Sequence, residues 1–264
     1  MSKTSQQPNI AIGIDIGGTG IKGGIVDLDT GTLLGERLRI DTPKPATPAA
    51  VAEVVAQIVE GLSARPEAPE ANSPVGVTFP AIIHRGVARS AANVDKSWIG
   101  TDVDGLLTER LGRPVHVMND ADAAGLAEVR YGAGKGVDGT VLVITLGTGI
   151  GSALIHNGVL VPNIELGHLE IDSAVAETKA SASARERDDL SWDEYAARLQ
   201  RFFSHVEFLM SPSLFVIGGG ISKRADDFLP KISVNTPMIT ASSKNNAGIV
   251  GSALQSLISE QLAE

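Results

Sequence analysis

Two stretches of this chain, IGIDIGGTGIKGGIVD (Ile12–Asp27) and VLVITLGTGIGSALI (Val141–Ile155), share one layout: an apolar strand, a turn of glycine and threonine, and a returning apolar strand. A β-rich start that occurs twice, each time followed by helices and further strands, predicts two α/β domains in tandem. The expected division is near Met118–Asp120. Residues 1–118, with the C-terminal helix at about 247–264, form a smaller N-terminal lobe, and residues 119–246 a larger C-terminal one. Ligands in such architectures sit between domains at strand ends.

The periodicity supplies the elements. Ile10–Ile16, Ile21–Leu28 and Leu33–Ile40 read as an antiparallel meander. After the proline-rich loop Asp41–Pro48, a helix carries Val51, Val54, Val55, Ile58, Val59 and Leu62 at helical spacing. Val75–Phe79 and Pro114–Met118 are strands, Leu106–Leu111 lies in a helix, and Asn119–Asp120 opens a helix ending near Arg130. Strands at Val141–Leu146 and Ile150–His156 precede a long loop. A helix at about 192–209, a strand at Ser213–Ile217 and a final helix at about 247–262 follow.

The net charge of −9 provides no global field for nucleic acid or an anionic membrane, so an anionic ligand must be held by local cations and backbone N–H groups. The absence of cysteine excludes disulfides, thiolate zinc sites and cysteine nucleophiles, and it suits the cytoplasm. The N-terminal residues lack a secretory signal, and no apolar run reaches the ~20 residues of a membrane span.

Glycines in the turn after Asp15 (Gly17, Gly18) let the backbone approach a phosphate closely, with N–H groups aimed at its oxygens. Thr19 adds a hydroxyl, Lys22 a cation, and Asp15 can hold Mg2+ through water. The same residues would also serve a plain tight hairpin. The turn Gly147–Gly151 is neither a P-loop nor a dinucleotide fingerprint, since a strand follows it and no GK[ST] does. Paired with the first turn, its Thr148 and Gly149 can grip the same phosphate chain. Gly219 and Gly220 can lie against an adenine or further phosphate, or form a simple turn. At the start of a helix, Asp120 is favoured as a charged carboxylate able to take a proton from a hydroxyl, while Asn119 can bind hydroxyls or cap the helix. Glu165 and His168 offer paired polar groups in a loop. No second histidine stands at metal-ligand spacing.

Taken in order, DIGGT, MND (Met118–Asp120), LGTGIG, ELGH (Glu165–His168) and GGGIS (Gly218–Ser222) resemble the ROK family of sugar kinases and repressors over nearly the whole chain. NVDKSW (Asn93–Trp98), ELGHLEID, AETKASA (Ala176–Ala182) and GGGISKRAD resemble its actinobacterial polyphosphate-dependent glucokinase branch, which includes glucomannokinases. The resemblance implies two actin-like (ribonuclease H-like) domains with an interdomain cleft. It also implies phosphoryl transfer from polyphosphate or ATP to the 6-hydroxyl of glucose or mannose. Asp120 matches the base; Asn93, Asn119, Glu165, His168 and Glu177 match sugar ligands; Asp15, Gly17, Gly18, Thr19, Thr148 and Gly149 match the phosphate turns; Gly219 and Gly220 match the nucleotide segment. Mg2+ is the implied cofactor. The family's zinc site needs a cysteine run that this chain lacks, so no zinc is expected and packing must shape the loop from His168 to Glu177. The family's N-terminal DNA-binding region has no counterpart in the few residues before Ile10, which favours the kinase branch. Lys22, Arg85, Arg89 and Lys96 are candidate cations for a polyphosphate groove. A homodimer is compatible with these features. A kinase for N-acetylmannosamine or allose, a sugar-binding protein without catalysis, and an actin- or chaperone-type ATPase are the alternatives.

Overall fold

The computed structural model describes residues 9–91, 94–243 and 246–263. The chain forms two compact units, one running through Ala123 and resuming at Gly248, the other Ala124–Ala247.

In the first unit, β1 (Ile10–Ile16), β2 (Gly20–Asp27) and β3 (Thr32–Asp41) form the antiparallel meander, with Ile16 opposite Ile21. α1 (Pro48–Ser63) starts where Thr47 accepts a hydrogen bond from Ala50 N and Pro48 supplies a pre-set φ. Its buried face is Val51, Val55, Ile58, Val59 and Leu62. β4 (Val75–Phe79) pairs parallel to β1 and is buried along its whole length. A small hairpin, β5 (Ile83–His84) and β6 (Val87–Ala88), leads to α2 (Val103–Leu111), capped by Asp102 at one end and by Gly112 in the left-handed region at the other. β7 (Val115–Asn119) extends the sheet parallel to β4 and runs straight into α3 (Asp120–Arg130). The sheet order is β3-β2-β1-β4-β7. Ile12, Ile14, Ile16, Val75, Val77 and Phe79 share a core with α1 and α2. The intervening residues Gly13 and Gly76 lie against the backbone of the C-terminal helix (Ala247–Ala263). Coverage on both faces explains why these strands read as nearly continuous apolar runs.

In the second unit, β8 (Thr140–Leu146), β9 (Ile150–His156) and β10 (Val159–Val161) occupy one side of a sheet. Its order is β10-β9-β8-β13-β14, with β13 (Leu214–Gly218) and β14 (Met238–Thr240) on the other side. The repeat seen in the sequence is thus a repeat of topology. β1 and β8 each pair antiparallel with the next strand and parallel with a later one, and their burial patterns match residue for residue. Leu146 stands opposite Ile150, so this turn holds Gly147–Gly149, one residue fewer than 17–20.

The stretch between His156 and Ser191 is not the simple loop expected. Besides β10 it contains a hairpin, β11 (Glu170–Ile171) and β12 (Ala174–Val175), and two short helices, α4 (Glu177–Ala180) and α5 (Ala182–Arg187). These elements are too short to leave a periodic signature. α6 (Trp192–Met210) begins with a reciprocal Ser191–Glu194 capping box and buries Tyr195, Ala196, Leu199, Phe202, Phe203 and Val206. The residues after β13 make a 3-10 turn (Gly220–Arg224) and then α7 (Ala225–Phe228). At the end of α3 in this unit, the buried Glu128 carboxylate accepts hydrogen bonds from Ala133 N, Ser242 N and Ser243 N, tying down the loop after β14.

A Cβ at residue 76 would stand 1.7 Å from Ser252 O. Gly76→Ala is therefore expected to destabilise the first unit by about 1–3 kcal/mol. Thermal unfolding followed by circular dichroism should show a lower Tm, and an unchanged Tm would contradict the packing described.

Candidate active site

Asp15, near the end of β1, is held from two sides. Thr78 on β4, fully buried, donates to its Oδ1 at 3.0 Å, and Lys22 Nζ on β2 lies 3.4 Å from its Oδ2. Lys22 is thus the ion-pair partner of Asp15, a role its position opposite Asp15 in the β1–β2 register dictates. In the adjoining turn, Gly17 O accepts from the Thr42 hydroxyl and Thr19 O from the Arg39 guanidinium. With these carbonyls occupied, the exposed stretch Gly18–Thr19 is left to offer donors, as an anion requires. Arg85, Arg89 and Lys96 are exposed side chains of the same unit, and Asn93 lies outside the described residues.

At the end of β7, Asn119 is buried and its amide is committed to the backbone. Oδ1 accepts from Ala121 N at 2.8 Å and Asp122 N at 3.2 Å, while Nδ2 donates to Ala81 O at 3.1 Å. This is an N-cap that also ties the helix start to the segment after β4. Asp120, the next residue, is exposed at the first turn of α3, where its Oδ1 also accepts from Ala121 N at 2.9 Å and the helix dipole favours an anionic side chain.

The second unit gathers Glu165, His168 and Glu177. Ser152 on β9 is buried and accepts from Leu166 N at 2.9 Å, pinning the 3-10 turn Leu166–His168 beside the strand. His168 Nε2 lies 3.5 Å from Glu177 Oε1. Glu177 Oε2 in turn accepts from Ile150 N at 3.1 Å, linking these polar residues to the end of the Gly147–Gly149 turn. Burial pushes the Glu165 carboxyl above its ordinary range; His168 pulls it down and Glu177 pushes it up further. Between His168 and Glu177 the chain turns through Asp172 and Ser173, both in the left-handed region, and Arg201 on α6 grips Asp172 with two nitrogens at 2.8 and 3.1 Å. This hairpin and its clamp shape the loop. Among the described residues no three His, Cys, Asp or Glu side chains are grouped to hold a metal ion.

Gly219 stands at φ 84, and a Cβ there would lie 2.3 Å from Leu146 O. The 3-10 turn that starts at Gly220 therefore begins against the strand that delivers the second glycine turn. On the other side Ser183 N, on α5, donates to Gly147 O at 3.2 Å.

The model of the ROK family matches residues 11–180. The chain belongs to the ROK family. It is 49% identical over 261 residues to the polyphosphate glucokinase of Mycobacterium tuberculosis (strain CDC 1551 / Oshkosh), covering 97% of this chain and 96% of that protein. Its structure matches the crystal structure of the inorganic polyphosphate/ATP-glucomannokinase of Arthrobacter sp. strain KM, with a TM-score of 0.90 and 71% identity over 95% of this chain and 99% of that one. The ROK family glucokinase of Streptomyces griseus, solved in complex with glucose and AMPPNP, matches with a TM-score of 0.78 and 25% identity, covering 92% and 98%. Like other ROK proteins, the chain has two actin-like domains, which accounts for the paired sheets. No described helix is long and apolar enough to cross a membrane.

The raised Glu165 group has a consequence for stability. An acid whose pKa is higher in the folded state favours folding while protonated, and the advantage is lost as pH rises through the folded value. Glu165→Gln should therefore raise Tm at pH 7 relative to wild type, and the difference should vanish near pH 4. Equal Tm values across that range would contradict the burial described.

Proposed function

We propose that this chain is a hexokinase that transfers a phosphoryl group from inorganic polyphosphate or ATP to the 6-hydroxyl of glucose, and of mannose as well. The observation that carries the reading is the exposed carboxylate of Asp120 at a capped helix start, in a chain with two glycine-threonine turns on matching sheets. The relatives named for polyphosphate, ATP and glucose support the same donors and acceptor.

In this reading Asp120 accepts the proton of the 6-hydroxyl as its oxygen bonds to phosphorus, and the bond from phosphorus to the remaining donor chain breaks. Glu165, His168 and Glu177 hold the other hydroxyls, and Asn93 is assigned with them. Asn119 serves the sugar chiefly by fixing Asp120. The turns at Gly17–Thr19 and Thr148–Gly149 bind phosphate through backbone N–H groups, and Gly219 and Gly220 accommodate the nucleotide of ATP. Asp15 fits the outer coordination of Mg2+, since that ion keeps several waters and leans on few carboxylates. Asp15 is partly exposed and anchored by Thr78 and Lys22. Bound with the donor, Mg2+ would supply neutralisation of phosphate charge. A reaction on cytoplasmic glucose completes the proposal.

Purified protein supplied with glucose and either donor should yield glucose 6-phosphate. Asp120→Ala should lower kcat by about 10²–10⁴, the range for losing a positioned base, with glucose binding retained in calorimetry. Near-normal turnover in that variant would reject the assignment.

A further inference from the structure

Arg185 is the feature of the second unit that the proposed reaction leaves unused. Its Cζ lies 3.8 Å from the centroid of the Trp192 ring, and its Nε is buried without a hydrogen-bond partner among the described residues. Among the described residues no carboxylate pairs with it. A second guanidinium, Arg224, lies 5.0 Å from the same ring, but Asp227 accepts from its Nε at 2.5 Å. Trp192 stacks on Phe228 at an interplanar angle of 16° and contacts Tyr195 edge-on, so the ring is fixed. The Tyr195 hydroxyl is itself buried with no partner among the described residues.

The position of the two arginines gives this cluster its meaning. Arg185 is carried by α5, whose Ser183 N donates to Gly147 O. Arg224 is carried by the 3-10 turn that starts against Leu146 at Gly219. One segment bonds the glycine turn at Gly147 and the other lies against Leu146, the strand residue just before it, and each sends a guanidinium to one indole. A partly buried guanidinium without an anionic partner is poorly compensated, and its planar fork suits phosphate oxygens. Cation–π contact orients it but leaves its charge unneutralised.

Resting on the phosphotransfer reading, we propose that Arg185, aligned by Trp192 and assisted by Arg224, is a specificity-determining residue that binds the polyphosphate chain beyond the phosphates held by the Gly147–Gly149 turn. ATP has no further phosphates to offer such a site, so the arginine separates the two donors. No bond is made or broken there.

The test compares wild type, Arg185→Gln and Arg185→Lys with long-chain polyphosphate and with ATP at saturating glucose. Arg185→Gln should raise KM for polyphosphate roughly tenfold, the factor for about one lost charge-assisted hydrogen bond, while kcat and KM for ATP change less than twofold. Arg185→Lys should fall between, and the unchanged ATP kinetics verify that the variants fold. Polyphosphate titration should also change the emission of Trp192 in wild type and not in Arg185→Gln; only one other tryptophan is present, the buried Trp98. An unchanged KM for polyphosphate, or an equal rise for both donors, would overturn the assignment. Failure of wild type to make glucose 6-phosphate from polyphosphate would instead overturn the reading on which it rests.

Discussion

The amide of Asn119 sets the geometry on which the chemistry depends. Its two ends bind three backbone groups, the N–H of Ala121 and of Asp122 and the carbonyl of Ala81. Those bonds convert the last residue of a parallel strand directly into a helix cap, with no intervening loop. The next side chain, Asp120, is thereby held at a helix N-terminus, where the charged form of a carboxylate is favoured. A carboxylate placed on a longer connection would have more freedom, which would weaken it as a base.

A second constraint is electrostatic. A chain of net charge −9 that handles polyanions cannot rely on its overall field. The backbone offers a local solution, twice over. Each sheet places an antiparallel hairpin next to parallel strands, and each hairpin ends in a glycine-threonine turn. In the first turn the carbonyls of Gly17 and Thr19 are taken up by Thr42 and Arg39. Positive side chains are then needed only where a donor outruns the turns, which is the role argued for Arg185.

Much of this was legible in the sequence, for identifiable reasons. The hairpins announce themselves because their strands are buried on both faces and their turns are glycine-rich. The long helices α1 and α6 are marked by Thr47, Pro48 and the Ser191–Glu194 box together with apolar periodicity. Glu165, His168 and Glu177, separate in sequence, come together in the second unit. Other features depend on partners distant in the chain. The β11–β12 hairpin needs Arg201 from α6, and Asp15 needs Thr78 from β4, 63 residues away. An Asn-Asp dipeptide after a strand reads by itself as a helix cap before it reads as a sugar site, and only the contact with Ala81 shows how fully Asn119 is committed. Nothing local to Arg185 reveals that Trp192 lies under it.

The proposed phosphoryl transfer requires Asp120 to meet the acceptor. A crystal structure of the protein with bound glucose measures that directly. The 6-hydroxyl oxygen should lie within hydrogen-bond reach of the Asp120 carboxylate, about 2.6–3.2 Å. Glucose bound with that hydroxyl turned away from Asp120, and another side chain in its place, would contradict that requirement.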